Sequence, residues 1–156
     1  MALPNKRSSG TNITIMDDLQ HFDPKIYKHW IEDRVRYSDL DPVGHVNNNS
    51  ISQYFENARA YLYRLIAPTW PLGDSVFVLA RTAVDYHREL HMPADLRIGS
   101  AIARIGRSSL TICNALFHGT HGVAWCESVS VLIDQKTRKP VEIPILMREH
   151  AKEYLL

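Results

Sequence analysis

Apolar side chains between residues 51 and 66 recur every three or four positions. They are Ile51, Tyr54, Phe55, Ala58, Tyr61, Leu62, Leu65 and Ile66. This spacing places them on one broad stripe, so the segment predicts a long amphipathic helix with one buried face. The helix has two candidate starts: Ser50 and Gln53 fit a capping box, and Asn47 or Asn48 would cap it about one turn earlier.

Beyond Pro68 and Pro71, which end the helical pattern, the chain favours β-strands. Four stretches are predicted as strands: residues 76–90, 96–105, 110–118 and 123–134. The segments between them have turn chemistry, and the last two are short enough for hairpins. Residues 30–37 alternate well enough for a strand before the helix, and residues 144–154 favour a closing helix.

These elements indicate an α+β fold. An opening strand, one long helix and a four-stranded antiparallel meander predict a curved sheet that curls around the helix. We expect one such domain over residues 23–156, preceded by an N-terminal extension of residues 1–22. Because such a sheet leaves strand edges that are usually covered or paired across a dimer, we also expect a homo-oligomer.

Composition narrows the classes of partner and compartment. The chain has 156 residues and a formal net charge of +1, which gives no electrostatic signature for nucleic acid or an anionic membrane. No apolar run approaches the ~20 residues that span a bilayer, and the N-terminus lacks the apolar core of a secretory leader. Two cysteines without a CxxC spacing fit a reducing compartment. We therefore expect a cytoplasmic protein that binds neither nucleic acid nor membrane.

Residues 37–48, which join the first strand to the helix, carry the candidate chemistry. An Asp41-Pro42 turn is followed by Gly44 and His45, and the chain then enters the helix. The first N–H groups of a helix have no intrahelical partner and carry partial positive charge. A carboxylate beside such donors is suited to acyl chemistry, because it supplies a base or nucleophile next to groups that stabilise an oxyanion.

Other kinds of site are not supported by the sequence. No HExxH or clustered carboxylate-histidine spacing accompanies His45, so we expect no metal and no cofactor. No Gly-x-Ser-x-Gly elbow or phosphate-binding glycine pattern occurs. Cys113 and Cys126 are interpreted as core or half-buried residues, and Asp39 as an exposed residue at the end of the strand.

The order of these motifs resembles the hot-dog-fold thioesterases of the 4-hydroxybenzoyl-CoA thioesterase-like group. The matching residues are the Asp-Pro-x-Gly-His-Val-Asn-Asn run at 41–48, Tyr54, Phe55, Glu56 and Arg59 on the helix, and Tyr86, Asp95, residues 106–109, Asp134 and Pro140 beyond it. The resemblance covers roughly residues 30–144. The plant acyl-carrier-protein thioesterases are a more distant match through the same His-Val-Asn-Asn.

This resemblance implies hydrolysis of an acyl-CoA or acyl-carrier-protein thioester. It also implies that two subunits pair into one continuous sheet, as a homodimer or within a homotetramer, with active sites at the dimer interface. Asp41 matches the catalytic carboxylate, acting as general base or nucleophile. The implied oxyanion donor is a backbone N–H near Asn48, and His45 is implied as a partner in the site.

Four further residues are candidate substrate contacts. Arg107, beside Ser108 in the matching hairpin, falls where basic residues of some members meet the CoA phosphates; the alternative is a solvated hairpin charge. Tyr54 lines an acyl pocket or is simply part of the core. Glu56 is a second acid or pairs within the helix with Arg59.

Two other functions stay open at this stage. One is a non-catalytic module that binds an acyl thioester, or assembles as a dimer, through the same cleft. The other is a hot-dog hydratase or dehydratase, although the usual Asp-x-Asn-Pro-x-His of that group is not matched here. Release of free thiol from an acyl thioester separates hydrolysis from both.

Overall fold

The structure, a computed structural model, describes residues 20–67, 69 and 72–156. Its regular elements are β1 (His29–Arg34), α1 (Asn48–Ile66), β2 (Ser75–Tyr86), β3 (Asp95–Ile105), β4 (Ser109–His118), β5 (His121–Asp134) and α2 (Ile145–Lys152). Short 3-10 turns at Pro24–Ile26 and Tyr37–Asp39 lie on either side of β1. Residues 1–19 of the predicted N-terminal extension lie outside the described residues, as do Pro68 and Pro71.

The predicted amphipathic helix is confirmed as α1, and it begins at the earlier of its two candidate starts. Asn47 is the N-cap, and its side-chain oxygen accepts a hydrogen bond from the Asn49 N–H at 2.8 Å. The buried stripe is narrower than predicted, because Tyr61 and Leu65 flank it and are 56% and 47% exposed. Within the described residues, no helix is both long enough and apolar enough to cross a membrane.

The five strands form one antiparallel sheet in the order β1-β3-β4-β5-β2. The predicted hairpins β3-β4 and β4-β5 are confirmed. The predicted pairing of β2 with β3 is wrong, because β2 pairs with β5 at the far edge and β1 lies beside β3. The connection at residues 87–94 carries the chain across the end of the sheet, so only part of the sheet is a meander.

One face of the curved sheet wraps around α1 and forms the core. Phe55, Leu62 and Ile66 of the helix are at most 1% exposed and pack with the inward-facing side chains of the strands. Met147 and Ala151 of α2 close one end of this core, next to the last turns of α1. The α+β hot-dog architecture expected from the sequence is confirmed.

Part of the opposite face of the sheet, on β3, β4 and β5, is covered by residues 20–28, which precede β1. Tyr27 is buried there, its hydroxyl donates to the His21 carbonyl at 2.6 Å, and its ring contacts Trp30 and Phe117 edge-on. Gly99 of β3 makes this packing feasible, because a Cβ at that position would lie 2.6 Å from Cγ of Tyr27. Residues 20–28 are therefore an integral part of the fold.

The two cysteines are buried free thiols on opposite faces of the sheet. Cys113 packs in the aromatic layer and Cys126 in the core beside α1. Burial raises the pKa of Cys113 to about 12, and burial also raises the pKa of Cys126. Such thiols stay protonated and are poor nucleophiles, which agrees with their interpretation as core residues.

The first residue of β1 makes the stability of the fold depend on pH. Burial lowers the pKa of His29, whose Nε2 is buried without a hydrogen-bond partner among the described residues. The unfolded chain therefore binds a proton more readily than the folded one, and the free energy of unfolding decreases as pH falls through about 6.5, the unfolded value. Below the folded pKa no further stability is lost through this group.

We expect His29→Gln to reduce this loss of stability between about pH 8 and pH 5, measured as the shift of the urea midpoint. His118→Gln, a change at an exposed histidine, is the control and should retain the wild-type dependence. Equal shifts in wild type and His29→Gln would contradict the assignment.

Candidate active site

The loop between β1 and α1 begins earlier than the sequence predicts. β1 ends at Arg34, not at residue 37, and the Val35 N–H donates to the Ala94 carbonyl at 2.9 Å. The chain then enters the 3-10 turn Tyr37–Asp39, which leads into the acid-bearing run. The candidate chemistry therefore lies at the end of the sheet where α1 begins.

Asp41 closes a tight turn of its own. Its Oδ1 accepts hydrogen bonds from the N–H groups of Val43 and His45 at 2.9 and 3.0 Å. The Asp41 N–H in turn donates to the His45 carbonyl at 2.8 Å. Gly44 has a φ of 90°, in the region that favours glycine, and so lets the chain return to Asp41. The backbone of the turn thus fixes one oxygen of the carboxylate.

Asp39 anchors this loop to α1. Its Oδ2 accepts from the Arg36 N–H at 2.7 Å and from the Tyr54 hydroxyl at 2.5 Å, while its carbonyl accepts from the Asn47 N–H and the Ser50 hydroxyl. Asp39 is 7% exposed, so its interpretation as an exposed residue is wrong. Burial, and then the hydrogen bond to Asp39, raise the pKa of Tyr54, which keeps the phenol protonated as a donor.

The start of α1 supplies backbone donors next to Asp41. Asn47 caps the helix, and its carbonyl accepts from the N–H groups of Ser50 and Ile51 at 2.9 and 3.1 Å. Asn48 is the first helical residue, so its N–H is one of the donors that an α-helix leaves without an intrahelical partner. The Asn48 main chain is therefore a candidate oxyanion donor irrespective of its side chain.

Asp41, His45 and Asn48 line one cleft of about 280 Å³. Its opposite wall is formed by residues 86–90, at and beyond the end of β2. The Val46 N–H donates to the Leu90 carbonyl at 2.8 Å, so a backbone hydrogen bond joins the two walls. The structure thus brings together the three residues that the sequence analysis singles out as catalytic candidates.

The second wall is the part of the site that the sequence analysis missed. β2 ends at Tyr86, not at residue 90, because the N–H groups of His87 and Arg88 both donate to the Val123 carbonyl and end the strand pairing. Glu89 follows and belongs to the cleft. The available signal was the cluster of polar residues at 87–89 and 91, just before Met92-Pro93, which is unusual inside a strand.

Two histidines converge on Glu89 at the rim of this cleft. Its Oε2 lies 3.8 Å from Nε2 of His45 and 3.7 Å from Nε2 of His91. The two imidazole rings are perpendicular, with centroids 4.7 Å apart. These three side chains could hold a metal ion, a grouping that the sequence spacing does not predict.

The four predicted substrate contacts lie elsewhere in the single chain. Tyr54 is buried beneath the loop, and Glu56 is exposed on α1. Arg107 and Ser108 lie in the β3-β4 turn, where Arg107 is exposed and its Nε is 3.8 Å from Glu142 Oε2. None of the four lines the cleft that holds Asp41.

Comparison with solved structures places this architecture among known proteins. The PA5185 protein from Pseudomonas aeruginosa is 26% identical, with a TM-score of 0.76 over 85% of this chain and 94% of its own. A predicted thioesterase from Bacillus stearothermophilus is 28% identical, with a TM-score of 0.74 over 82% and 98%. A thioesterase from Thermus thermophilus, complexed with coenzyme A and Zn, is 31% identical, with a TM-score of 0.72 over 81% and 98%.

Sequence comparison gives the family. Residues 35–153 match the sequence profile of the Thioesterase-like superfamily, so the chain belongs to this superfamily. The uncharacterized protein YsmA of Bacillus subtilis is 32% identical over 78 residues, which are 50% of this chain. The match spans about half of that relative, 53% of its length.

The contact between Tyr54 and Asp39 gives a stability prediction. Tyr54→Phe removes a donor from a buried carboxylate, which should lower the free energy of unfolding by about 1–3 kcal/mol. Urea unfolding of the two proteins measures the difference. Tyr61→Phe changes an exposed tyrosine on the same helix and should leave stability unchanged. The anchor would be disproved if both variants were as stable as wild type.

Proposed function

We propose that this protein hydrolyses an acyl thioester, with Asp41 as general base or nucleophile. The observation that carries the proposal is the shared cleft of Asp41 and Asn48. The turn fixes Oδ1 of Asp41, whereas no hydrogen bond to its Oδ2 is found among the described residues. A carboxylate held at one oxygen and open at the other is suited to act on a bound carbonyl group or on water.

Two routes fit this arrangement. As a base, Asp41 takes a proton from water while the water oxygen attacks the thioester carbon. As a nucleophile, Asp41 attacks the carbon itself to form an anhydride that water then hydrolyses. In both, the carbonyl oxygen becomes an oxyanion that accepts from the Asn48 N–H, and the C–S bond breaks as the thiolate leaves and takes up a proton.

His45 is proposed as a partner at the rim of this site. Its N–H donates to Asp41 and its carbonyl accepts from Asp41, so its main chain holds the acid in place. Tyr54 is better explained as the anchor of the loop, because its hydroxyl is taken by Asp39. Glu56 stays a candidate second acid on the exposed side of α1.

We propose an acyl-CoA substrate, with an acyl-carrier-protein thioester as the alternative. The Thermus thermophilus thioesterase with coenzyme A supports the first carrier. Arg107 and Ser108 are the proposed phosphate contacts: the Arg107–Glu142 pair is exposed on both sides, so it is weak and leaves the guanidinium accessible to a phosphate. This assignment implies a place in acyl-thioester, and hence lipid, metabolism.

We also propose a homodimer or homotetramer in the cytoplasm. β2 is an edge strand, and its Leu79 and Tyr86 are 50% and 45% exposed. Such an edge favours pairing with a second copy, which would bring side chains absent from the single-chain cleft toward it. The two free thiols favour a reducing compartment.

The decisive test is release of free thiol from a panel of short, long and aromatic acyl-CoAs and acyl-carrier-protein thioesters. We expect hydrolysis by wild type and a loss of at least about 10³-fold in Asp41→Asn and Asp41→Ala, as for a central catalytic group. Asp74→Asn, a change at an exposed aspartate paired with Lys136, should retain activity.

Each alternative has its own outcome in this assay. Full activity in Asp41→Ala would exclude the mechanism. Binding of the thioesters by wild type without any thiol release would indicate a binding module. Addition of water to an enoyl thioester, again without thiol release, would indicate a hydratase.

Light scattering tests the oligomer. On a size-exclusion column with light-scattering detection, wild type should have a molar mass about two or four times the 17.9 kDa of one chain. Leu79→Lys should shift this mass toward that of a single chain, because a lysine on an edge strand opposes pairing. Ile145→Lys, at an exposed apolar residue of α2, should retain the wild-type mass. A wild-type monomer would refute the proposal.

A further inference from the structure

The rim of the cleft carries a group of three side chains, of which the proposed hydrolysis assigns a role only to His45. His45 comes from the loop before α1, whereas Glu89 and His91 come from the connection after β2. One ligand atom from each lies within 4.8 Å of the others. This convergence depends on the fold, because the two segments are far apart in the sequence.

The donor atoms have the chemistry of a transition-metal site. Two imidazoles and one carboxylate are a ligand set that binds Zn²⁺ with a further coordination position open. Metal–ligand bonds of about 2.0–2.2 Å in a tetrahedron separate the ligand atoms by roughly 3.3 Å. The two distances to Glu89, 3.7 and 3.8 Å, exceed this by about half an ångström, and no two of the three ligand atoms are more than 4.8 Å apart.

The side chains are free to rotate and bring the three ligand atoms closer together. The side chains of Glu89 and His91 are 70% and 56% exposed, and that of His45 is 37% exposed, so modest rotations meet little resistance from packing. Each histidine nitrogen facing Glu89 is Nε2, which leaves Nδ1 of both rings available to another partner.

The backbone around these side chains is fixed. The hydrogen bond from Val46 to Leu90 lies directly beside all three, since Val46 follows His45 and Leu90 separates Glu89 from His91. His45 is also tied to Asp41 through both its N–H and its carbonyl. The site is thus ordered by contacts that do not require the metal, which lowers the entropic cost of binding.

We propose that His45, Glu89 and His91 bind one divalent transition-metal ion, Zn²⁺ or a similar ion, at the rim of the Asp41 cleft. Imidazole nitrogens favour Zn²⁺, Co²⁺ and related ions over Mg²⁺ and Ca²⁺, which prefer oxygen ligands. The proposal goes beyond thioester hydrolysis and does not depend on it. A bound ion would cross-link the two walls of the cleft.

Titration of chelator-treated protein with ZnCl₂, followed by calorimetry, tests the site directly. We expect one Zn²⁺ per chain, and binding at least about tenfold weaker in Glu89→Gln and in His91→Ala. Loss of a residue that only hydrogen-bonds to a metal ligand already weakens metal binding by about this factor, and loss of a ligand itself should weaken it at least as much. Because Zn²⁺ binds the folded chain, it should also raise the Tm of wild type, and it should raise the Tm of His91→Ala by a smaller amount. Co²⁺ absorption spectra of the same proteins report the ligand set.

Matched controls make the result unambiguous. His121→Ala, a change at an exposed histidine of the β4-β5 hairpin, should bind Zn²⁺ as wild type does. Both ligand changes are at exposed residues, and circular dichroism verifies that the variants fold. Absence of saturable binding by wild type, or unchanged binding in Glu89→Gln and His91→Ala, would overturn the proposal. Thiol release is assayed separately, so failure of hydrolysis leaves the zinc result intact.

Discussion

The burial of α1 inside the curved sheet is the interaction on which the rest of the structure depends. Phe55, Leu62 and Ile66 are almost completely enclosed, and burial of each such side chain contributes about 1.5–3 kcal/mol. The helix cannot shift or rotate without opening this core. Its first turn is therefore a fixed reference point, and the hydrogen bond from Tyr54 to Asp39 extends that rigidity to the loop that carries Asp41.

Much of the fold was predictable because its signals are local. The three-four spacing defines α1, and the turn chemistry between strands defines the β3-β4-β5 hairpins. The position of β2 was not predictable in this way. Alternation along a strand shows that it has two faces, but it does not select the partner, and β2 pairs with β5 after a crossing connection. The pairing of β2 with β5, which lies two strands further along the chain than β3, depends on which edge of the curved sheet is left open.

In the candidate site too, the residues with local sequence signals were predictable and those that depend on long-range contacts were not. Asp41, His45 and Asn48 lie within one short run, so motif and helix-start reasoning find them together. The burial of Asp39 is not predictable from its sequence neighbours, because it depends on a contact with Tyr54, which follows 15 residues later on α1. Glu89 is missed for a related reason: no fixed spacing relates the segment after β2 to the loop before α1, and only the fold brings them into contact.

The connection at residues 87–94 runs across the end of the sheet, and its first four residues form most of one wall of the cleft outside any regular element. Lengthening such a loop is inexpensive, since doubling its length costs only about 0.6 kcal/mol in closure entropy. Leu90 and Ala94 of this connection belong to the core, so only its exposed residues, 87–89 and 91–93, are separable from core stability. The exposed residues of this connection can therefore change the outline of the cleft without breaking the hydrogen bond from the Val46 N–H to the Leu90 carbonyl, which keeps the two walls together.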